Sequence, residues 1–256
     1  MRNLHGLRLR VNKSSTGDAP FAPIISVVIV VLNGGKTLRR SIESVLNQTY
    51  VNTNLMIVDG GSTDGSLDII EGYKSRLAYF VSKKDDGIYD AMNHALENCK
   101  ADWCLFLGCD DVLIDSFHLV AANLLDNKAV YYGNVIRRSV GDIYSGRFST
   151  LKLTYRNICH QSIFYPKNCF VKKYDSEYKL LADYKYNIEL WGAGVKFKYL
   201  PYIISDYNNC GLASTGDELF SLNKVRVIRK NLGYTFAVLW FLREVIASIY
   251  RRIKYA

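Results

Sequence analysis

Residues 26–50 read SVVIVVLNGGKTLRRSIESVLNQTY, and the fold is decided there. Ile24 to Leu32 is a β-branched run of the kind that forms a strand buried on both faces of a parallel sheet, and NGGKT follows it as a turn. Leu38, Ile42, Val45 and Leu46 then recur at helical spacing, which predicts a helix over 37–47. Working outward, Leu55 to Val58 is a second apolar strand running into DGGSTDG, where Ser62 or Asp64 offers a cap for a helix containing Leu67, Ile69 and Ile70. Leu77 to Ser82, Ile88 to Asn98 and Trp103 to Leu107 continue as strand, helix and strand, the last ending at GCDD. This alternation is the βαβ pattern, and right-handed crossovers make its strands neighbours. An α/β fold is expected, with a mainly parallel central sheet flanked by helices.

Later segments are less regular. Ala129 to Ile136 reads as a strand, 143–170 as hairpins or loops rich in Tyr and Phe, Leu180 to Trp191 as a helix and Val195 to Leu200 as a strand. Residues 223–250 suit a helix that includes TFAVLWFL, broken by Arg243 and Glu244. Spanning a bilayer takes about 20 predominantly apolar residues, so this helix is expected to lie in the interface, with Tyr234, Trp240 and Tyr250 at headgroup level. Packing on the protein's own core, or at a homodimer contact, is the alternative. The organisation expected is a leader (1–23), a main domain (24–222, its halves meeting near 115) and a basic amphipathic C-terminal helix (223–256).

Of the formal net charge of +9, residues 1–13 carry +4 and residues 224–256 carry +7, so the body between them is slightly acidic. Basic ends on an acidic body suit an anionic membrane surface and exclude a groove that tracks nucleic-acid phosphates. The six cysteines form no CxxC pair and have no His at zinc-ligand spacing, so a reducing compartment is expected. Arg8 and Arg10 interrupt the only apolar residues at the N-terminus, which leaves no secretory h-region. A cytoplasmic protein, peripheral at the inner face of the cell membrane, is the expectation.

NGG, DGGSTDG and GCDD each follow a strand, and open α/β sheets bind ligands at the carboxyl ends of their strands. Asp59 is placed to accept hydrogen bonds from a base or ribose, with glycines beside it for close approach. Asp110 and Asp111 offer hard oxygens to Mg²⁺ or Mn²⁺, and such a cation makes an acidic rim compatible with a diphosphate. A dinucleotide-dependent oxidoreductase is excluded because the first turn, NGGKT, is not GxGxxG.

Residues 26–50, with MIVDGGSTDGSLDII (56–70), DDGIYDAMNHAL (85–96) and ADWCLFLGCDD (101–111), resemble in order and spacing the N-terminal half of family 2 glycosyltransferases, which have the Rossmann-like GT-A fold. CHQSIFY (159–165) and LLADYKYNIELW (180–191) look like the branch of that family acting in bacterial surface-polysaccharide assembly. The resemblance implies inverting transfer of a sugar from a nucleotide-diphosphate donor, a UDP-sugar first, to an acceptor hydroxyl, and the basic, aromatic C-terminus points to a lipid-linked glycan as the acceptor. The resemblance also implies that Asn33 and Asp59 line the base pocket, and that Asp86, Gly87 and Asn93 line the donor's sugar-phosphate side. Asp110 becomes the principal metal ligand, with Asp111 and His160 as further candidates. Asp183 becomes the general base, with a helix N-cap as its bland alternative, and Tyr184 and His160 face the acceptor. Gly108 departs from the family's DxD motif at its first place, which puts metal dependence in question and leaves a non-catalytic GT-A scaffold as the rival reading.

Overall fold

β1 (Ile25–Val31) is buried along its whole length, because it runs between β2 (Thr53–Asp59) and β4 (Trp103–Gly108) and is parallel to both. Alternate side chains serve opposite layers: Ile25, Val27, Ile29 and Val31 enter one core and Val28 and Val30 the other. The continuous β-branched run is thus the sequence of a strand with two apolar faces. β3 (Tyr79–Ser82) adds to β2, again in parallel.

The structure, a computed structural model, describes residues 22–144, 146–208 and 216–254. The expected leader lies outside the described residues apart from Ala22 and Pro23. On one face of the parallel strands, α1 (Leu38–Leu46) packs Leu38, Ile42 and Val45 inward at i, i+4 and i+7, joined by α2 (Ser66–Tyr73) and α4 (Phe117–Ala121). On the other face lies α3 (Ile88–Asn98), with Tyr89, Met92 and Ala95 in the core. α2 begins after Gly65, not at Ser62 or Asp64; Asp64 instead accepts from the Ser66 N–H (3.1 Å).

The sheet runs β3-β2-β1-β4-β8-β6-β9-β5, with β7 beside β6. Beyond β4 it turns mixed. β8 (Ile163–Pro166) is antiparallel to β4 and β6 (Val130–Arg137), β6 is parallel to β9 (Phe197–Tyr207), and the short β5 (Val112–Leu113) and β7 (Asp142–Tyr144) are antiparallel additions. The stretch expected as hairpins also contains a helix, α5 (Thr150–Tyr155), capped by Ser149, whose hydroxyl accepts from Lys152 N–H. α6 (Ala182–Gly192) follows as expected.

The C-terminal segment is two helices, α7 (Glu218–Leu232) and α8 (Tyr234–Lys254), parted by Gly233 at φ 98°. No helix among the described residues is long and apolar enough to cross a membrane. Trp240, expected at headgroup level, instead packs into the core shared by α3, α6 and α7, and its indole Nε1 is buried.

Candidate active site

Asp59 ends β2 and is fully buried. Its Oδ2 accepts three donors: the N–H groups of Gly61 and Ser62, both at 3.0 Å, and the Ser82 hydroxyl at 2.6 Å. Oδ1 has no partner. A buried acceptor left open costs about 1–3 kcal/mol, which a donor from a bound molecule would recover. Asn33, the one described non-glycine residue at positive φ (53°), latches the β1 loop to the β2 loop. Its Oδ1 accepts from Thr63 N–H (2.9 Å), and its own N–H donates to Ser62 Oγ (2.8 Å).

Gly108 ends β4 on the far side of β1, one residue out of register with Asp59 and roughly 10 Å from it at ordinary strand spacing. The loops approach closely, since a Cβ on Gly34 would stand 2.8 Å from Cys109 Sγ. The two strand-end acids therefore share one rim. Asp110 is half-buried; its Oδ2 accepts from the Asn208 amide (2.8 Å), while its backbone carbonyl accepts from Arg138 (2.9 Å) and Arg40 (3.3 Å).

Asp111 corrects its assignment as a metal ligand. It is buried, and its oxygens are spent on Gly108 N–H (3.1 Å), Gln161 Nε2 (2.9 Å) and Asn208 N–H (2.8 Å). Burial pushes its carboxyl up. Among the described residues no cluster of three or more His, Cys, Asp or Glu converges on a metal geometry. Asp110 alone remains, and one carboxylate fits a Mg²⁺-type ion that takes its other ligands from substrate phosphates and water.

The 3-10 turn His160–Ser162 bridges this rim to Asp183. Gln161 reaches Asp111, while the neighbouring His160 Nδ1 stands 3.4 Å from Asp183 Oδ2. His160 thus sits beside Asp183. Asp183 lies in the first turn of α6, past the N-cap position held by Leu181, so it is not the cap of that helix. It is nearly buried, with Oδ1 accepting from the Tyr89 hydroxyl and Oδ2 from Asn157 Nδ2, both at 2.7 Å. A carboxylate has about four lone-pair sites, so two accepted bonds leave room for a third donor.

Three further candidates have defined places. Asn93 is clamped in the core by Tyr174, donating to its carbonyl (2.9 Å) and accepting from its N–H (2.8 Å), so it holds α3 and does not line a donor pocket. Tyr184 is buried, with its hydroxyl donating to Leu153 O (2.7 Å), which removes it from an acceptor surface. Asp86 is exposed, whereas Asp85 faces the Asp59 loop, its Oδ2 lying 2.8 Å from where a Gly60 Cβ would stand. Burial raises the Asp85 carboxyl, opposed by the Gly87 N–H (3.0 Å) that it accepts, with Asp90, Asp59 and Asp86 raising it further. That bond from the glycine two residues on is an Asx-type cue in DDG that pointed to Asp85.

Tyr89 and Asp217 carried no sequence signal. The Tyr89 hydroxyl lies 2.8 Å from Leu180 O as well as 2.7 Å from Asp183, and Asp217 Oδ2 accepts from the N–H groups of Leu180 (2.9 Å) and Leu181 (3.3 Å). Leu180, three residues before Asp183, is thus held from both sides.

A mixed sheet with Asp59 and Asp110 at the ends of the strands on either side of β1, and Asp183 linked to that rim through the His160–Ser162 turn, is the arrangement of a glycosyltransferase of the GT-A fold. Residues 26–178 match the model of glycosyl transferase family 2, and the chain belongs to that family. A PGL/p-HBAD biosynthesis glycosyltransferase of Mycobacterium bovis is 35% identical over 201 residues, covering 74% of this chain and 78% of the relative. An uncharacterised glycosyltransferase of Rickettsia typhi is 33% identical over 113 residues, 43% of this chain and 35% of that one. Among solved structures, Staphylococcus aureus TarS with UDP superposes with a TM-score of 0.61 at 17% identity, covering 81% of this chain and 70% of TarS. A Pyrobaculum calidifontis mannosyltransferase with GDP-mannose and Mn²⁺ gives 0.61 at 13% identity, with coverages of 73% and 57%.

Proposed function

We propose that the enzyme transfers a sugar with inversion from a nucleotide-diphosphate donor, a UDP-sugar first, to an acceptor hydroxyl. The observation that carries the donor half is the unpaired, buried Oδ1 of Asp59 at a strand end. A uracil ring presents an imide N–H of the kind this oxygen lacks, and the Asn33 latch shapes the loop beside it. That structures of the same fold were solved with UDP and with GDP-mannose supports a nucleotide-linked donor. Asp110 would hold Mg²⁺ or Mn²⁺ against the diphosphate, where the ion supplies charge neutralisation for the departing group.

Asp183 takes the proton of the acceptor hydroxyl as its oxygen bonds to the anomeric carbon. The bond from that carbon to the diphosphate breaks on the opposite face, and the nucleoside diphosphate leaves. Tyr89 and Asn157 fix the carboxylate for this attack, and His160 borders the space the acceptor enters. The reading extends to a lipid-linked glycan as acceptor, in bacterial surface-polysaccharide synthesis at the cytoplasmic face of the membrane. The +7 carried by residues 224–256 and the mycobacterial relative support it.

The test measures nucleoside diphosphate release from UDP-sugars with wild type and Asp183→Asn. A fall of about a hundredfold or more in the variant, with its UDP-induced thermal shift retained, is expected. Equal release by both would remove Asp183 as base, and a UDP-induced shift with no release in wild type would favour the non-catalytic scaffold.

A further inference from the structure

We propose that α8 is an interfacial helix whose outward side sinks into the acyl boundary of an anionic bilayer. The inference deepens the membrane part of the reading above and rests on it, while being independent of the donor chemistry. The inner side of α8 is committed: Phe236, Ala237 and Trp240 pack against the main core, and the Arg243 guanidinium lies 4.6 Å from the Tyr155 ring centre. The opposite side carries Val238, Leu242, Val245, Ile246, Ile249 and Ile253, between 39% and 73% exposed. At 3.6 residues per turn these six fall within an arc of about 100° facing away from Trp240, and they extend about 22 Å along the axis. A surface helix ordinarily turns its polar side outward. Here the outward side is apolar, and no described element covers it.

Charge selects the occupant. Residues 224–256 carry +7, with Arg226, Arg229 and Lys230 exposed on α7 and Arg252 exposed near the end of α8. A second copy of the chain would bring like charge against like, whereas an anionic lipid surface complements it. Crossing the bilayer is excluded by the packed inner side, since a spanning helix needs apolar surface all round or partner helices in the membrane. Tyr234 and Tyr250, exposed near the two ends of α8, suit the headgroup level that Trp240 does not occupy. The embedded helix also bears on the catalytic helix, because Lys224 Nζ lies 5.6 Å from the Trp240 ring and 4.6 Å from that of Tyr184, the neighbour of Asp183.

The experiment is flotation of the full chain with vesicles of phosphatidylcholine alone or containing roughly one-third phosphatidylglycerol, at low salt and at about 0.5 M salt. Wild type is expected to float with the anionic vesicles and to retain part of that binding at high salt, where only apolar insertion persists. The Leu242→Glu/Ile249→Glu variant is expected to partition roughly tenfold less, with an unchanged thermal shift on adding UDP. Complete loss of wild-type binding at high salt, or a variant that floats like wild type, would overturn the insertion. So would a wild-type dimer in light scattering that the variant converts to monomer. If wild type floats as expected yet neither protein responds to UDP, the donor reading fails and the membrane inference stands.

Discussion

Gly108 stands where the DxD motif that the segment resembles usually has Asp or Asn, and the space beside it is already taken. A Cβ there would lie 2.5 Å from Asp111 Oδ2 and 2.9 Å from Asp110 Oδ1, and three hydrogen bonds hold the Asp111 carboxylate in place. Gly108→Ala is therefore expected to destabilise by about 1–3 kcal/mol in urea unfolding, because the obstacle cannot move without losing its own partners. At Tyr89 the expectation concerns rate. Removing one hydrogen bond to a charged group costs about 1.5–3 kcal/mol, so Tyr89→Phe should lower kcat roughly ten- to hundredfold while the donor KM changes by less than about twofold. A purely structural role would instead move both constants together with stability. These two residues show the limit of local reading. Asp183 could be picked from its segment, but its holder lies 94 positions away on α3, and no pattern in DDGIYDAMN announces that contact.

At the scale of elements, α6, α7 and α8 enclose one cation. Lys224 on α7 lies between the rings of Tyr184, Phe220 and Trp240, and burial brings its amine down to about 8, with Arg243 adding to the fall and Glu244 opposing it. The native state thus releases this proton more readily than the unfolded chain. Its cost is fully present below pH 8 and fades as pH rises from about 8 towards the ordinary lysine value near 10.4. Unfolding free energy measured across that window should rise for wild type from this source, and Lys224→Met should lack that component. The helices themselves were legible where their periodicity was strong: α3 runs from Ile88 to Asn98, as its spacing predicts. The break at Gly233 and the helix α5 were not. A glycine in an otherwise helical pattern does not say whether the chain turns there, and TLKLTY is too short to show a period.

Across the whole molecule, the proposed donor site rests on four chain segments ending on one rim. A nucleotide bound there should stabilise the fold, by about 2.7 kcal/mol at a hundredfold excess over Kd, or roughly 5–10 °C in Tm for a chain of this size. UDP with Mn²⁺ is expected to give this shift in wild type. Asp59→Asn should lose the response to the base, and Asp110→Asn should lose only the increment that Mn²⁺ adds.

The sequence by itself determined the parallel half of the sheet, three of the helices that flank it (α1, α2 and α3, but not α4) and the strand-end positions of Asp59 and Asp110. Hydrophobic period and turn chemistry are local, and βαβ handedness turns local order into a single topology. Only the tertiary structure decided which acids are open and which are spent. Asp110 and Asp111 are equivalent as letters, and they differ because Gln161, 50 positions along the chain, bonds the buried Asp111 and not its half-buried neighbour. The same holds for α8, whose apolar outward side emerges only once its other side is packed.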